Sequence, residues 1–210
     1  MTITEMTSPT GAKLRWWALA VLMLPVLLVA VDNTVLSLAF PKISEALRPT
    51  GVELLWIVDV YPLVLAGLLI PMGILGDRFG RRRLLLIGAT GFAAVSAVAA
   101  FAPTAGALIG LRAAMGFFGA MIMPATLSLI RNIFIDPNER RLAIAIWAAM
   151  FSGGAALGPL VGGFLLEHFW WGSVFLIAVP VLLPLLVFGL IVLPESTDPN
   201  PSPIDPLSTG

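Results

Sequence analysis

The sequence lacks cysteine entirely and contains a single histidine, His168. Within this chain, these shortages exclude disulfides, thiol chemistry, zinc sites built on cysteine and metal sites built on several histidines. Charge is also scarce, because only 11% of the residues are charged, against about 25% in ordinary soluble domains. The 12 basic and 12 acidic residues cancel, so no excess of positive charge indicates binding to nucleic acid.

Apolar residues are correspondingly abundant. They make up 59% of the 210 residues, and the mean hydropathy is +0.99. Soluble domains are about 45–50% apolar, and a soluble chain of this size cannot bury such an excess. Disordered chains need the opposite balance. The composition therefore excludes a soluble enzyme or binding domain and indicates an integral membrane protein.

Six apolar stretches are long enough to cross a bilayer as helices, which takes roughly 20 residues each. They run over residues 16–40, 54–76, 84–101, 105–130, 142–166 and 172–193. Lys13 and Arg15 precede the first stretch, as basic residues do in a signal peptide. No A-x-A-like cleavage site follows, so we expect this helix to be retained. The sequence predicts an all-α, polytopic membrane protein with one six-helix bundle over residues 14–194.

Basic residues are distributed unequally between the predicted loops. With the N-terminus inside, the inner segments carry nine of them and the outer loops carry only Lys42 and Arg48. The positive-inside rule then predicts that both termini are cytoplasmic. Residues 1–13 are expected to form a polar cytoplasmic tail, and residues 195–210 a proline-rich cytoplasmic linker. The nine inner basic residues are Lys13, Arg15, Arg78, Arg81, Arg82, Arg83, Arg131, Arg140 and Arg141.

Three charged residues, Asp32, Asp59 and Arg112, lie within the predicted spans. At a rise of 1.5 Å per residue, all three fall in the outer half of a membrane core about 30 Å thick. Charges at such depths are costly and usually functional. Apolar surroundings favour a protonated carboxyl, and a nearby arginine favours an ionised one. Two acidic residues and one basic residue also leave a net negative charge within the membrane, which suits a lipophilic cation. The pattern predicts a proton and cation site, with a purely structural ion pair as the alternative.

Glycines form a regular pattern in the fifth span. Gly154, Gly158 and Gly162 recur every four residues, with Pro159 and Gly163 beside them. On a helix this spacing makes one smooth stripe that another backbone can approach closely. Pro159 removes one helix hydrogen bond and can bend the span. Simple helix packing and a sliding surface for an opening movement both explain the pattern.

The loop between the second and third spans carries a specific signature. It reads Gly73-Ile-Leu-Gly-Asp77-Arg78-Phe-Gly80-Arg81-Arg-Arg. Gly80 permits a sharp turn, and Asp77 can pair with Arg78 or Arg81. The run resembles the signature loop of the major facilitator superfamily, G-x-L-x-D-R-x-G-R-[RK]-x, at every defined position. The resemblance implies the N-terminal six-helix bundle of that fold, in which this loop latches two halves together on the inner side.

Other segments resemble the drug:proton antiporter branch of the same superfamily, in particular its fourteen-helix members. The run Asp32-Asn-Thr-Val in the first span is similar to the branch's D-x-T-V, and residues 154–163 match its antiporter motif. The second-span segment Trp56-Ile-Val-Asp59-Val-Tyr61 resembles W-[IV]-x-D-x-Y. Arg112-Ala-Ala-Met115-Gly resembles R-x-x-Q-G, with methionine where the family has glutamine. That departure removes a polar partner for Arg112.

The resemblance implies a proton-coupled multidrug exporter of the bacterial inner membrane that works by alternating access. Protons entering from outside would protonate Asp32 or Asp59 and displace a lipophilic cationic drug or biocide outward. Besides protons and drugs, its partners would be the lipid bilayer and either a missing C-terminal half or a second copy. No metal or cofactor is implied. Because such transporters have two bundles, we expect this chain to be the N-terminal half of a longer protein.

Other classes of protein remain as alternatives. A nutrient or metabolite carrier of the same fold is disfavoured by the full antiporter motif in the fifth span. A non-transporting fragment or assembly subunit is favoured by the short length and disfavoured by the charges at matched depth. An enzyme is not predicted, because the sequence contains no nucleophile–base pairing, no metal-ligand cluster and no phosphate-binding loop.

Overall fold

The computed structural model describes residues 9–193. Most of the predicted N-terminal tail and the whole of the predicted linker over residues 195–210 lie outside the described residues. Within the described part of the chain there are seven helices and no strand. These are α1 (Pro9–Leu47), α2 (Gly51–Phe79), α3 (Arg81–Ala99), α4 (Ala105–Ile133), α5 (Pro137–His168), α6 (Ser173–Leu176) and α7 (Ala178–Val192). The six predicted spans are confirmed, with α6 and α7 together forming the sixth.

The sixth span differs from the continuous helix that its apolar run indicates. The helix is interrupted at Ile177, between α6 and α7. Pro180 is the third residue of α7, and it has no backbone N–H to donate to the carbonyl of Leu176, four residues earlier. The α-helical hydrogen-bond ladder therefore lacks one bond at this point. The helical bonds beside it, from the Ile177 N–H to the Ser173 carbonyl and from the Val181 N–H to the Ile177 carbonyl, are both 3.3 Å long.

Short polar caps fix where the helices begin. Thr50 and Glu53 form a capping box at the start of α2, and the side chain of Thr104 accepts from the N–H of Ala107 at the start of α4. Asp136 accepts from two backbone N–H groups at the start of α5. Each cap satisfies backbone donors that a helix end leaves without partners. Helices α2 and α5 consequently begin a few residues before the apolar runs that predict them.

The helices pack as pairs around α1 and α4. The most extensive contacts join α2 to α4 and α1 to α5, and α3 packs against α4 and α7. Helix α1 is the most buried span, whereas α2 and α5 are the most exposed. The bundle therefore has two long apolar helices with large open faces.

Side chains that contact the ends of neighbouring helices stabilise both ends of the bundle. At the end where α1 begins, Arg15 pairs with Glu139 of α5 at 2.8 Å. At the same end, Arg82 donates to the carbonyl of Leu190 in α7 at 3.4 Å and to that of Leu193, just after the helix, at 3.0 Å. At the opposite end, the Lys42 ammonium of α1 donates to the carbonyl of Leu166 near the end of α5. Cations near helix C-termini are favourable because carbonyl groups there lack helical partners.

Candidate functional site

A buried ion pair joins α1 to α4 in the interior of the bundle. The Asp32 Oδ2 and Arg112 Nη1 atoms are 2.6 Å apart. Asp32 is 5% exposed and Arg112 is 1% exposed. Two of the three charged residues that sequence depth singles out are therefore in direct contact. A charge-assisted bond in such dry surroundings is much stronger than the same pair would be in water.

Arg112 is held by α2 as well as by α1. Its Nε donates to the backbone carbonyl of Ile57 at 3.2 Å. Its guanidinium carbon lies 4.4 Å from the ring centroid of Tyr61, within cation–π range. Ile57 and Tyr61 are one turn apart on α2 and both are fully buried. The arginine thus connects three helices through one side chain.

Local hydrogen bonds explain why Asp32 is the polar side chain of its segment that reaches across to α4. The neighbouring Asn33 donates to the carbonyl of Val29 on its own helix at 2.7 Å. Thr34 likewise donates to the carbonyl of Val31 at 3.1 Å. Both polar neighbours are satisfied within α1, whereas Asp32 has its partner on another helix.

Asp59 lies apart from this ion pair. It is exposed on α2, and residues 9–193 contain no ion-pair partner for it. With Trp56 it lines a shallow depression of about 220 Å³ on the α2 surface. The depth estimate that groups Asp59 with Asp32 and Arg112 therefore does not bring it into contact with them, because depth does not specify which face of a helix a residue occupies. Asp59 instead combines one carboxylate with one aromatic ring on an open face.

The glycine stripe of the fifth span packs directly on α1. A methyl group at Gly154 would lie 2.7 Å from Cβ of Ala30, and one at Gly162 would lie 2.7 Å from Cγ2 of Val35. A methyl group at Gly158 would overlap the Thr34 hydroxyl. These glycines let the two backbones approach closely beside Asp32.

The remaining residues of that motif face outward. Pro159 is exposed, and a methyl group at Gly163 would have nothing within 4 Å. The stripe and the outward-facing residues therefore lie on different sides of α5.

The signature loop between α2 and α3 contains the ion pair that its spacing predicts. Arg81 Nη2 and Asp77 Oδ1 are 2.8 Å apart, and Arg78 is exposed. Gly80 has φ 103°, the region that favours glycine, and it is the single residue between α2 and α3. A methyl group at Gly73 would lie 3.7 Å from Cβ of Pro124, an ordinary packing distance. Of the two pairings open to Asp77, the structure has the one with Arg81.

Tyr61 is the functional candidate that sequence reasoning missed. It is the only tyrosine in the chain and belongs to the segment that resembles W-[IV]-x-D-x-Y. Its spacing of four residues from Ile57 places both on one face of α2, two residues away from Asp59 on either side. That spacing is the signal that could have identified it.

The geometry of the bundle and its buried ion pair defines a class of protein. Six membrane-spanning helices surround a buried carboxylate that can accept a proton and an arginine that stays charged. The described residues contain no group of three or more side chains suited to bind a metal ion. A bundle of this kind is typical of polytopic membrane transport proteins.

Comparison with known proteins identifies the family. The sequence model of the Major Facilitator Superfamily matches residues 22–209. The chain belongs to this superfamily, whose members are transporters and not enzymes.

Relatives with known functions are drug-resistance transporters. The chain is 68% identical over 201 residues to the multidrug efflux pump LfrA of Mycolicibacterium smegmatis, covering 96% of this chain and 39% of the pump. It is 52% identical over 176 residues to the methyl viologen resistance protein SmvA of Salmonella typhimurium, covering 84% of this chain and 35% of that protein. The chain thus spans less than two fifths of the length of these relatives.

Solved structures confirm the fold. A bacterial homologue of the human lysosomal transporter Spinster, in an inward-facing conformation, superposes with a TM-score of 0.68 at 21% identity, covering 93% of this chain and 47% of that one. A peptide transporter, POT, gives a TM-score of 0.69 at 21% identity over 83% of this chain and 36% of the other. The predicted fold class, an all-α bundle of the major facilitator type, is confirmed.

Proposed function

We propose that this bundle is the N-terminal half of a proton-coupled multidrug antiporter, which exports lipophilic cations by alternating access. The observation that carries the proposal is the buried pair of Asp32 and Arg112, 2.6 Å apart between α1 and α4. The names of the relatives, which include a multidrug efflux pump and a methyl viologen resistance protein, support organic cations as substrates. The proposal concerns the working transporter, of which this chain supplies one six-helix unit.

Asp32 is the proposed proton carrier. In the paired state its ionised carboxylate balances the Arg112 charge. Protonation of Asp32 removes that balance and leaves the guanidinium, 1% exposed, with a backbone carbonyl and an aromatic ring as its partners. An uncompensated buried charge is strongly unfavourable. Protonation of Asp32 therefore destabilises the present contact between α1 and α4 and favours its rearrangement.

Asp59 is the proposed contact for the drug cation. Its carboxylate is exposed on α2 beside Trp56, and an aromatic face next to a carboxylate suits an organic cation. When Asp32 takes up a proton, Arg112 becomes an unbalanced positive charge within the same bundle, which disfavours a second cation nearby. Electrostatic competition of this kind couples proton entry to drug release.

The packing supports a rocking movement against a second six-helix unit. The open faces of α2 and α5 are where such a unit, a C-terminal half or a second copy, would lie. The glycine contact between α1 and α5 would allow sliding with little change in side-chain packing. In this proposal the end of the bundle that carries Arg15 and the Asp77–Arg81 pair faces the cytoplasm, because it has nine of the basic residues. The membrane is the bacterial inner membrane.

A chimaeric pump tests the proposal. This chain replaces the corresponding residues of LfrA, to which it is 68% identical, and efflux of methyl viologen is measured in proteoliposomes with an imposed pH gradient. We expect gradient-driven efflux that Asp32→Asn abolishes and that Glu45→Gln, an exposed acid on the same helix, leaves intact. Efflux that persists in Asp32→Asn would contradict the proposed proton site. The same assay on this chain alone determines whether two copies of it form a working transporter.

A further inference from the structure

Tyr61 carries a buried hydroxyl that the ion pair does not use. The residue is 0% exposed, and its Oη atom has no hydrogen-bond partner among residues 9–193. Buried polar groups are nearly always hydrogen-bonded, so each exception needs an explanation. Phenylalanine would supply the same ring without this cost. The hydroxyl therefore indicates a second arrangement of the site in which it has a partner.

The ring of Tyr61 is fixed between two side chains. Arg112 lies over its face, with the guanidinium carbon 4.4 Å from the centroid. Phe92 of α3 packs against it edge to face, with centroids 6.3 Å apart. Tyr61 thus keeps its position beside Arg112 as long as α2 and α3 stay packed on α4.

Two glycines of α4 make room for this arrangement. A methyl group at Gly116 would lie 2.7 Å from the Tyr61 backbone oxygen, and one at Gly119 would lie 3.5 Å from the Tyr61 hydroxyl. The close contact between α2 and α4 therefore holds the hydroxyl in place. A hydrogen bond to this hydroxyl therefore requires a movement of the partner group, because Tyr61 cannot reorient without separating α2 from α4.

The chemistry of the neighbours points to one acceptor. Arg112 has five N–H donors and no acceptor, so the hydroxyl cannot donate to it. The carboxylate of Asp32 is an acceptor and is bound to the same guanidinium at 2.6 Å. Resting on the proton-coupled function above, we propose that Tyr61 is a positioning residue whose hydroxyl donates a hydrogen bond to Asp32 when Arg112 withdraws from that carboxylate. The exchange keeps Asp32 partnered while the ion pair is open.

The single tyrosine makes this exchange directly measurable. Tyrosine labelled with an isotope in its ring introduces the label at position 61 alone, and infrared difference spectra report whether the phenol donates a hydrogen bond. The 210-residue chain is measured in lipid bilayers as wild type, Arg112→Met and the double variant Asp32→Asn/Arg112→Met. Trp147→Phe is the matched control, because it breaks another interhelical bond, 3.2 Å from Trp147 Nε1 to Thr126 Oγ1.

We expect a free phenol band in the wild type and in Trp147→Phe. In Arg112→Met we expect the phenol band to shift to the position typical of a hydrogen-bond donor. In the double variant we expect the free phenol band again, because the acceptor carboxylate is gone. A donor band already present in the wild type, an unshifted band in Arg112→Met, or a shift that survives removal of Asp32 would each overturn the proposal. Should Arg112→Met fail to fold as a helical bundle, Arg112→Gln keeps a polar side chain at this position without the positive charge, and the same bands decide. Because this readout needs no transported drug, its failure is separable from a failure of the antiport function.

Discussion

Replacing Asp32 by asparagine isolates the electrostatic contribution of the buried pair. Asparagine preserves the size of the side chain and an acceptor oxygen for Arg112, so packing changes little. The carboxylate charge disappears, and Arg112 remains 1% exposed without its counter-ion. The Ile57 carbonyl and the Tyr61 ring contact Arg112 before and after the substitution, so they do not replace what is lost.

The expected loss of stability follows from the burial of Arg112. A lone arginine at the centre of a membrane helix costs about 2.5–3.5 kcal/mol on insertion scales, and breaking a buried pair costs about 3–5 kcal/mol. We therefore expect Asp32→Asn to lower the free energy of unfolding by about 3 kcal/mol, which is roughly 100-fold in the unfolding equilibrium. Removing both charges in Asp32→Asn/Arg112→Gln should recover at least about 2 kcal/mol of that loss, because no unpaired ion remains.

Reversible unfolding in mixed detergent micelles, followed by tryptophan fluorescence, measures these free energies. Glu45→Gln is the control, since it removes an exposed carboxylate of the same helix and should change stability by less than about 0.5 kcal/mol. A loss below about 1 kcal/mol in Asp32→Asn, or a double variant as unstable as the sum of its single variants, would refute the reasoning that the pair is electrostatically coupled.

Further predictions concern the rest of the site. Gly158→Val should lower the free energy of unfolding by about 1–3 kcal/mol because the new side chain meets Thr34 on α1, whereas Gly163→Val should be neutral; equal losses in the same unfolding assay would contradict the close α1–α5 contact. Asp59→Asn should leave stability within about 0.5 kcal/mol of wild type and weaken binding of methyl viologen in equilibrium dialysis, and an unchanged affinity would exclude Asp59 as the cation contact. Asp77→Asn should cost less than about 1 kcal/mol because its ion pair is partly exposed, yet slow efflux by the chimaeric pump; wild-type efflux would separate the loop from the transport movement.

Hydropathy and spacing predict most of this fold, but they do not predict which face of a helix each charged residue occupies. The six apolar runs are long enough to require spans, and the depths of Asp32 and Arg112 allow the contact that the structure contains. Depth along a helix says nothing about direction around it. Asp59 lies two residues from both Ile57 and Tyr61, which share the buried face, so it is turned away from the pair by the helical period.

Features that depend on contacts between distant segments were beyond sequence reasoning. The orphan hydroxyl of Tyr61 follows from how closely α2 approaches α4 at Gly116 and Gly119, which no local pattern determines. The interruption at Ile177 had a local signal in Pro180, but prolines within α1, α2, α4 and α5 leave those helices continuous. Whether a proline interrupts a membrane helix depends on the groups around it.

Drug-induced proton release tests the central claim most directly. The purified chimaeric pump is first equilibrated at an acidic pH, so that Asp32 takes up a proton and leaves its ion pair with Arg112. Methyl viologen is then added in weakly buffered detergent solution at that pH, and the released protons are counted with a pH-sensitive dye. We expect proton release from the wild-type bundle that disappears in Asp32→Asn, because drug binding and protonation of Asp32 exclude each other. Equal release from both proteins, or no release from a wild-type pump that still exports the drug, would contradict it.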